Sequence, residues 1–87
     1  MDKTDYLCRI CGFDLHFKPW GDDGNTPSFD ICPCCGVEFG YEDYCLESIR
    51  DYRTKWQLSG YPIFDKSSLP KNFNLKNQLN NIPKIFI

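Results

Sequence analysis

Apolar side chains recur at helical spacing in the middle of the chain. Over residues 41–59, five of them follow one another at steps of four, four, three and four residues: Tyr41, Cys45, Ile49, Tyr52 and Trp56. This spacing places them on one face of an α-helix, and charged residues occupy the other face. Gly60 and Pro62 then supply the residues that typically end a helix. The pattern predicts one amphipathic helix over residues 41–59.

Two shorter stretches have the pattern of β-strands. Residues 6–10 are β-capable, and within residues 28–32 the apolar Phe29 and Ile31 alternate with polar neighbours. The intervening residues 18–27 contain two prolines, two glycines and an Asp-Gly-Asn sequence, which is typical of a loop with turns. We therefore expect a two-stranded hairpin connected by this loop.

The last part of the chain, residues 60–87, mixes apolar side chains with five asparagines. Ser68 before Pro70 is a typical helix start and predicts a short helix that extends to about Gln78. The closing residues 82–87 are apolar enough to pack onto the core. We expect an irregular apolar tail that closes the core.

The chain has 87 residues and six cysteines. That length predicts a single domain over residues 1–87, divided into a ribbon (6–40), the helix (41–59) and the tail (60–87). A domain this small often needs a disulfide framework or a metal to stabilise it. Residues 1–5 are charged, without the apolar segment of an export signal, and no apolar run is long enough to span a bilayer. We therefore expect a cytoplasmic protein, in which reduced thiols favour metal binding over disulfides.

Four of the cysteines have the spacing of a metal site. They form two Cys-x-x-Cys-Gly sequences separated by twenty residues, and the predicted ligands are Cys8, Cys11, Cys32 and Cys35. Two intervening residues let both sulfurs of a pair point at one ion, and the glycine permits the tight turn that follows. Four thiolates make a closed tetrahedral shell with no open position for substrate water. The sequence thus predicts a structural Zn²⁺ ion, with iron as the alternative metal.

The remaining cysteines and the histidine are assigned other roles. Cys34 lies inside the second pair, where we favour a small residue in a turn over an alternative ligand or a reactive thiol. Cys45 falls on the apolar helix face, where a free cysteine packs as a small hydrophobic residue. His16 is the only histidine and is expected on the surface or in a strand.

A tryptophan in the loop marks the predicted interaction surface. Trp20 lies in a Pro-Trp-Gly turn, with Asp22, Asp23 and Asp30 following it in the sequence. Aromatic side chains ringed by polar residues are typical of protein interfaces. We therefore expect a protein partner that binds at Trp20, with the three aspartates attracting its basic surface. The alternative is that Trp20 covers the apolar side of the thin hairpin.

The charge distribution disfavours nucleic acid as the partner. Residues 1–43 carry three basic and nine acidic side chains, residues 44–87 carry seven basic and three acidic ones, and the net charge is −2. Four thiolates on a divalent cation add about −2, whereas phosphate binding requires a concentrated cationic surface. The basic second half keeps a nucleic-acid-binding zinc ribbon as an alternative. No paired carboxylates, nucleophile–base pair or phosphate loop stands out, so we do not expect an enzyme.

Residues beyond the cysteines extend the pattern, and together they resemble a family of small bacterial cysteine-rich proteins marked by a Cys-Pro-Cys-Cys-Gly motif. The matching segments cover residues 6–60: Cys8-x-x-Cys11-Gly12, Pro19-Trp20-Gly21, Pro27 to Gly36, Glu38 to Asp43, Arg53 and Trp56-x-x-x-Gly60. The resemblance implies a zinc-ribbon or rubredoxin-like fold. It brings no established activity, but related cysteine-rich proteins are associated with bacterial toxin systems, which implies an immunity or adaptor protein.

The cysteine pairs are also similar to those of rubredoxins, which are iron-containing electron carriers. The segment between the pairs is shorter than in rubredoxins, and a helix and tail follow where a rubredoxin would end. The expected fold is therefore a small metal-stabilised α+β protein: a zinc-ribbon hairpin packed on one α-helix, with an apolar C-terminal tail. The expected function is a zinc-binding protein-interaction module, and the first alternative is a rubredoxin-like iron electron carrier.

Overall fold

The computed structural model describes residues 3–87, which contain two α-helices and three short 3₁₀ turns. Helix α1 spans Leu46–Leu58 and helix α2 spans Leu75–Leu79, while the 3₁₀ turns are Lys3–Tyr6, Lys66–Ser68 and Lys84–Phe86. The only β-structure in this described part is a pair of isolated antiparallel bridges, Leu7 with Asp14 and Ile31 with Glu38. None of its helices has the length and apolar character needed to cross a membrane.

The two bridges show how the observed chain differs from the hairpin that the sequence predicts. Residues 6–10 and 28–32 do not pair with each other as strands. Each instead pairs briefly with the chain that follows its own cysteine pair, since Leu7 lies opposite Asp14 and Ile31 lies opposite Glu38. The reason is that each Cys-x-x-Cys-Gly turn reverses the chain within a few residues. The described residues thus form one main helix and two cysteine turns, and a ribbon hairpin is not confirmed.

The two cysteine turns have the same hydrogen-bond pattern, and we call residues 6–15 the first knuckle and residues 30–39 the second knuckle. In the first, the Cys8 amide donates to the Phe13 carbonyl at 2.9 Å and the Gly12 amide donates to the Cys8 carbonyl at 2.9 Å. In the second, the equivalent bonds run from Cys32 to Val37 and from Gly36 to Cys32, both at 2.9 Å. Both glycines have a positive φ, 80° and 81°, which a side chain would disfavour.

Helix α1 begins five residues later than the sequence predicts. Residues 41–45 are not helical, and Tyr41 is 69% exposed rather than part of a buried face. Two carboxylates accept from main-chain amides in this region, Asp43 from Gly40 at 2.7 Å and Glu42 from Glu38 at 3.2 Å. Such local side-chain bonds compete with helix formation. The predicted C-terminal end is correct, because Gly60 has φ 89° and the helix ends at Leu58.

An arginine lies on the buried face of α1. Arg53 is 8% exposed and lies between Ile49 and Trp56, the other two buried residues of the helix. Its guanidinium donates to three main-chain carbonyls: Ile10 at 2.8 Å, Arg9 at 2.8 Å and Phe86 at 2.7 Å. The side chain therefore ties the helix to the first knuckle and to the end of the tail.

The tail packs against both knuckles. The amides of Phe64 and Asp65 donate to the carbonyls of Cys34 and Pro33, at 3.1 and 2.8 Å. The Gln78 side-chain amide donates to the Cys11 carbonyl at 3.3 Å. Near the end, Phe86 packs against the core. The tail thus completes the core, although it contains little regular structure.

The short helix predicted from Ser68 to about Gln78 is only partly correct. Ser68 ends a 3₁₀ turn, and α2 begins at Leu75. The side chain of Asn74 caps it by accepting from the Asn77 amide at 3.0 Å. Asparagine is one of the strongest N-cap residues, and this later cap defines the start of the helix.

We expect the change Arg53→Met to lower the free energy of unfolding of the metal-loaded protein by about 3 kcal/mol, because three carbonyls lose a charged donor. Lys55→Met is the matched control, since Lys55 is an exposed cation of the same helix, paired with Asp51 at the surface, and should change stability by less than about 1 kcal/mol. Denaturant titration of both variants measures the difference. Equal stability would contradict the structural role of Arg53.

Candidate metal centre

The two knuckles bring four cysteine sulfurs to one point. The Sγ atoms of Cys8, Cys11, Cys32 and Cys35 all lie within 4.8 Å of one another. All four residues are buried, and only Cys35 retains measurable exposure, at 5%. Each knuckle contributes the two cysteines of its Cys-x-x-Cys pair, since the tight turn directs the two side chains of a pair to the same side.

The sulfur–sulfur distances fit a tetrahedral metal ion. The Sγ atoms of Cys8 and Cys35 are 3.7 Å apart, as are those of Cys11 and Cys32. Four sulfurs about 2.3 Å from a central ion form a tetrahedron with edges of about 3.8 Å. A disulfide would instead require about 2.05 Å, and the thiols are free. The four cysteines are therefore positioned to bind one metal ion, and both zinc and iron accept four thiolates.

The protonation of the cluster explains why a cation belongs there. Burial raises the pKa of the Cys8, Cys11 and Cys35 thiols. Hydrogen bonds from Cys11, Cys35 and Cys8 lower the pKa of Cys32. Four bare thiolates are therefore unfavourable here, because four buried negative charges would repel one another. A divalent ion would remove this penalty by neutralising part of the charge and displacing thiol protons.

Side chains of α1 contact the cluster from one side. Burial lowers the pKa of Arg53, whereas negative charge on Cys8 and Cys11 raises that pKa. The positive guanidinium is thus a partial counter-charge for a cluster of thiolates. The Tyr52 hydroxyl donates to the Cys35 carbonyl at 2.9 Å. Burial raises the pKa of Tyr52, so this hydroxyl stays protonated and remains a donor.

The other two cysteines lie outside the set of four. Cys34 is fully buried, and its sulfur accepts from the Gln78 side-chain amide at 3.1 Å. Cys45 is the N-cap residue of α1 rather than a member of its buried face, and its thiol donates to the Ser48 hydroxyl at 3.3 Å. His16 is exposed and has φ 62°. The structure thus places one thiol, that of Cys34, next to the four candidate ligands and outside their set.

The residues predicted to bind a partner lie in different environments. Trp20 is half-buried, with its indole N–H donating to the Asp43 carboxylate at 2.9 Å and its ring 4.0 Å from the Arg9 guanidinium. Asp22 is exposed and pairs with Lys18 at 3.4 Å. The carboxylate of Asp23 accepts from Asn25 and Thr26 within the loop. Asp30 is exposed. The indole of Trp20 therefore makes internal contacts, while the aspartates remain at the surface.

Sequence reasoning assigned no individual role to four residues that organise this region, although Asp43 and Arg53 lie in segments that match the resembled family. Arg9 stacks between the rings of Trp20 and Phe86, and Asp43 is fully buried. Arg53 and Gln78 bond to the knuckles. The spacing along the helix could have indicated the role of Arg53. It lies four positions after Ile49 and three before Trp56, which places it on the same apolar helix face as these two residues.

A four-thiol cluster on two turns defines a small cysteine-rich protein with a candidate metal site. The chain is 36% identical to the uncharacterized protein YoaQ of Bacillus subtilis strain 168 over 87 residues, covering 83% of this chain and 72% of that protein. It is 33% identical to the uncharacterized protein YozI of the same strain over 82 residues, covering 76% and 68% of the two chains. The chain belongs to the family of YoaQ and YozI. No family model and no solved structure matches it.

We expect serine in place of Cys8, Cys11, Cys32 or Cys35 to abolish stoichiometric metal binding, because a closed shell of four thiolates loses a ligand. Cys34→Ser and Cys45→Ala are the matched controls and should each retain one metal per chain. Metal analysis of the six purified variants tests this assignment. Loss of metal in Cys34→Ser together with retention in Cys35→Ser would show that a different pair binds.

Proposed function

We propose that this protein is a cytoplasmic protein-interaction module whose fold is held together by a structural zinc ion, and that it acts as an immunity or adaptor protein rather than as an enzyme. The observation that carries the proposal is the set of four buried sulfurs at tetrahedral distances. Four thiolates leave no position at the metal for a substrate. An ion in such a shell stabilises the fold, and the function then lies on the protein surface.

The covering of the knuckles favours a structural ion over an electron carrier. A side chain at Gly12 would lie 2.7 Å from the Gln78 carbonyl, and one at Gly36 would lie 3.0 Å from the Phe64 ring. Both turns are thus in contact with the tail. An electron carrier benefits from a thinly covered centre, because electrons must pass to a partner. The additional layer of tail is consistent with zinc.

Exposed aromatic side chains support a macromolecular partner. Phe29 is 60% exposed and has φ 62°, which is unusual for a bulky residue. Its ring lies against Gly40, and the following residue, Tyr41, is 69% exposed. Exposed large apolar residues that lie close together often mark interaction surfaces. The net charge of −2, made more negative by the thiolates, favours a protein over a nucleic acid.

We expect the purified protein to contain one zinc per chain and to be colourless, whereas a ferric tetrathiolate centre would be red. Removal of zinc by a chelator should unfold the knuckles, because structural zinc contributes on the order of 10 kcal/mol. Elemental analysis and two-dimensional NMR measure the two effects. Bound iron would support the electron carrier, and an unchanged NMR spectrum after chelation would contradict a structural ion.

We expect the zinc-loaded protein, immobilised by a tag, to retain one protein at a 1:1 ratio from an extract of its native host, and untagged protein should compete with this binding. A Cys11→Ser variant controls for binding to unfolded chain. Nuclease treatment and high salt distinguish a nucleic acid, whose binding weakens steeply with salt. Retained material that nuclease releases would favour the nucleic-acid alternative, and the absence of any competed protein would contradict the proposed function.

A further inference from the structure

A groove of about 820 Å³ lies where the two knuckles meet the tail. Its walls come from three segments, residues 12–17, 30–33 and 68–81, and we call it the tail groove. Apolar side chains contribute much of its surface, among them Leu15, Ile31, Leu69 and Phe73. Asp30 is shared with the predicted Trp20 surface, but neither that surface nor the metal centre accounts for this concave, mainly apolar site.

Two open main-chain edges line the tail groove. Asp14 and Ile31 are the bridge residues of the knuckles, and both are lining residues. Within each knuckle, the residues that flank the bridge make the main-chain hydrogen bonds. In the first knuckle, the Cys8 amide donates to the Phe13 carbonyl and the Leu15 amide donates to the Tyr6 carbonyl. In an antiparallel pair of this kind, each bridge residue directs its own N–H and C=O away from the partner strand. Both edges are therefore available to an added strand.

Carboxylates dominate the charge of the tail groove. Asp14 and Asp30 line it, and no lysine or arginine is among its lining residues. The exposed imidazole of His16 also lines it, with Nδ1 3.7 Å from the Asp14 carboxylate, and it adds a positive charge only when protonated. Gly12, Pro33 and Gln78 connect it to the cysteine cluster, which carries about two negative charges when four thiolates hold a divalent ion. A groove with these charges attracts a cation and repels phosphate. Charge complementarity thus selects a basic ligand and disfavours nucleic acid and anionic lipid.

The polar groups of the tail suit a peptide backbone. Three carboxamides on the groove wall, Asn72, Asn77 and Asn81, make no side-chain hydrogen bond to any residue in the range 3–87. Each carboxamide offers a donor and an acceptor together, which matches the N–H and C=O of a peptide group. Apolar surface, an open main-chain edge and free carboxamides together favour an extended chain over a compact small molecule.

We propose that the tail groove binds an extended segment of the protein partner, carrying alternating basic and apolar side chains, by strand addition at Asp14 or Ile31. This inference rests on the proposed interaction function and identifies its binding site. The apolar side chains of the segment contact Leu69 and Phe73, and its basic side chains contact Asp14 and Asp30. The groove exists only when the tail is packed on both knuckles.

The test uses a phage-displayed library of random twelve-residue peptides selected on the zinc-loaded protein. We expect enrichment of basic and apolar peptides, chemical-shift changes centred on Asp14, Ile31 and Phe73, and slower amide exchange at Asp14 or Ile31. Asp30→Lys should weaken binding of the enriched peptides about tenfold or more, because it reverses a charge in the groove. Glu47→Lys is the matched control, since Glu47 is exposed, lies outside the groove and belongs to no predicted binding surface, and it should change the affinity less than about twofold.

Enrichment of acidic peptides, mapping of the shifts to another surface, or no enrichment would each overturn the tail-groove proposal. Zinc content and NMR dispersion of the Asp30→Lys variant establish that it is folded. The proposed function is judged separately by the partner retained from the host extract. A partner that binds wild type and Asp30→Lys equally leaves the interaction function in place and overturns only the groove.

Discussion

Four sulfurs held within 4.8 Å of one another form the constraint on which the rest of this structure depends. Thiolates at that distance repel strongly where water is excluded, and burial raises the pKa of three of the four. Only a cation lets all four lose their protons. Five of the ten residues in the buried core are cysteines, and four of these five are the candidate metal ligands.

The knuckles leave main-chain groups that a sheet would normally satisfy. In the described residues no strand pairs with another over more than a bridge, and side chains from distant parts of the chain take over this role. Arg53 donates to Ile10, Tyr52 donates to Cys35, and Gln78 donates to Cys11. Side chains of the helix and the irregular tail thus form hydrogen bonds with main-chain groups of the turns, which neighbouring strands would satisfy in a β-protein.

Local patterns were sufficient to predict some of these features and not others. The spacing of the cysteine pairs identified the four sulfurs that meet, and Gly60 identified the end of α1. The start of the helix was predicted wrongly because the Asp43 carboxylate accepts from the main-chain amide of Gly40, which periodicity does not reveal. The contact of Gln78 with Cys11 joins residues 67 positions apart, and no local pattern predicts it. The two roles considered for Trp20 also depend on distant residues, since Arg9 and Asp43 surround its ring.

Gln78 links the metal centre to the tail groove. Its side chain bonds to the Cys11 carbonyl and to the Cys34 sulfur, and it also lines the groove. Because Gly12 lacks a side chain, the Gln78 main chain can approach the first knuckle closely. The shape of the groove therefore depends on the folded knuckles, and the four sulfurs that could hold a metal ion lie inside those knuckles. A metal ion bound by these sulfurs would thus stabilise the groove as well as the two cysteine turns.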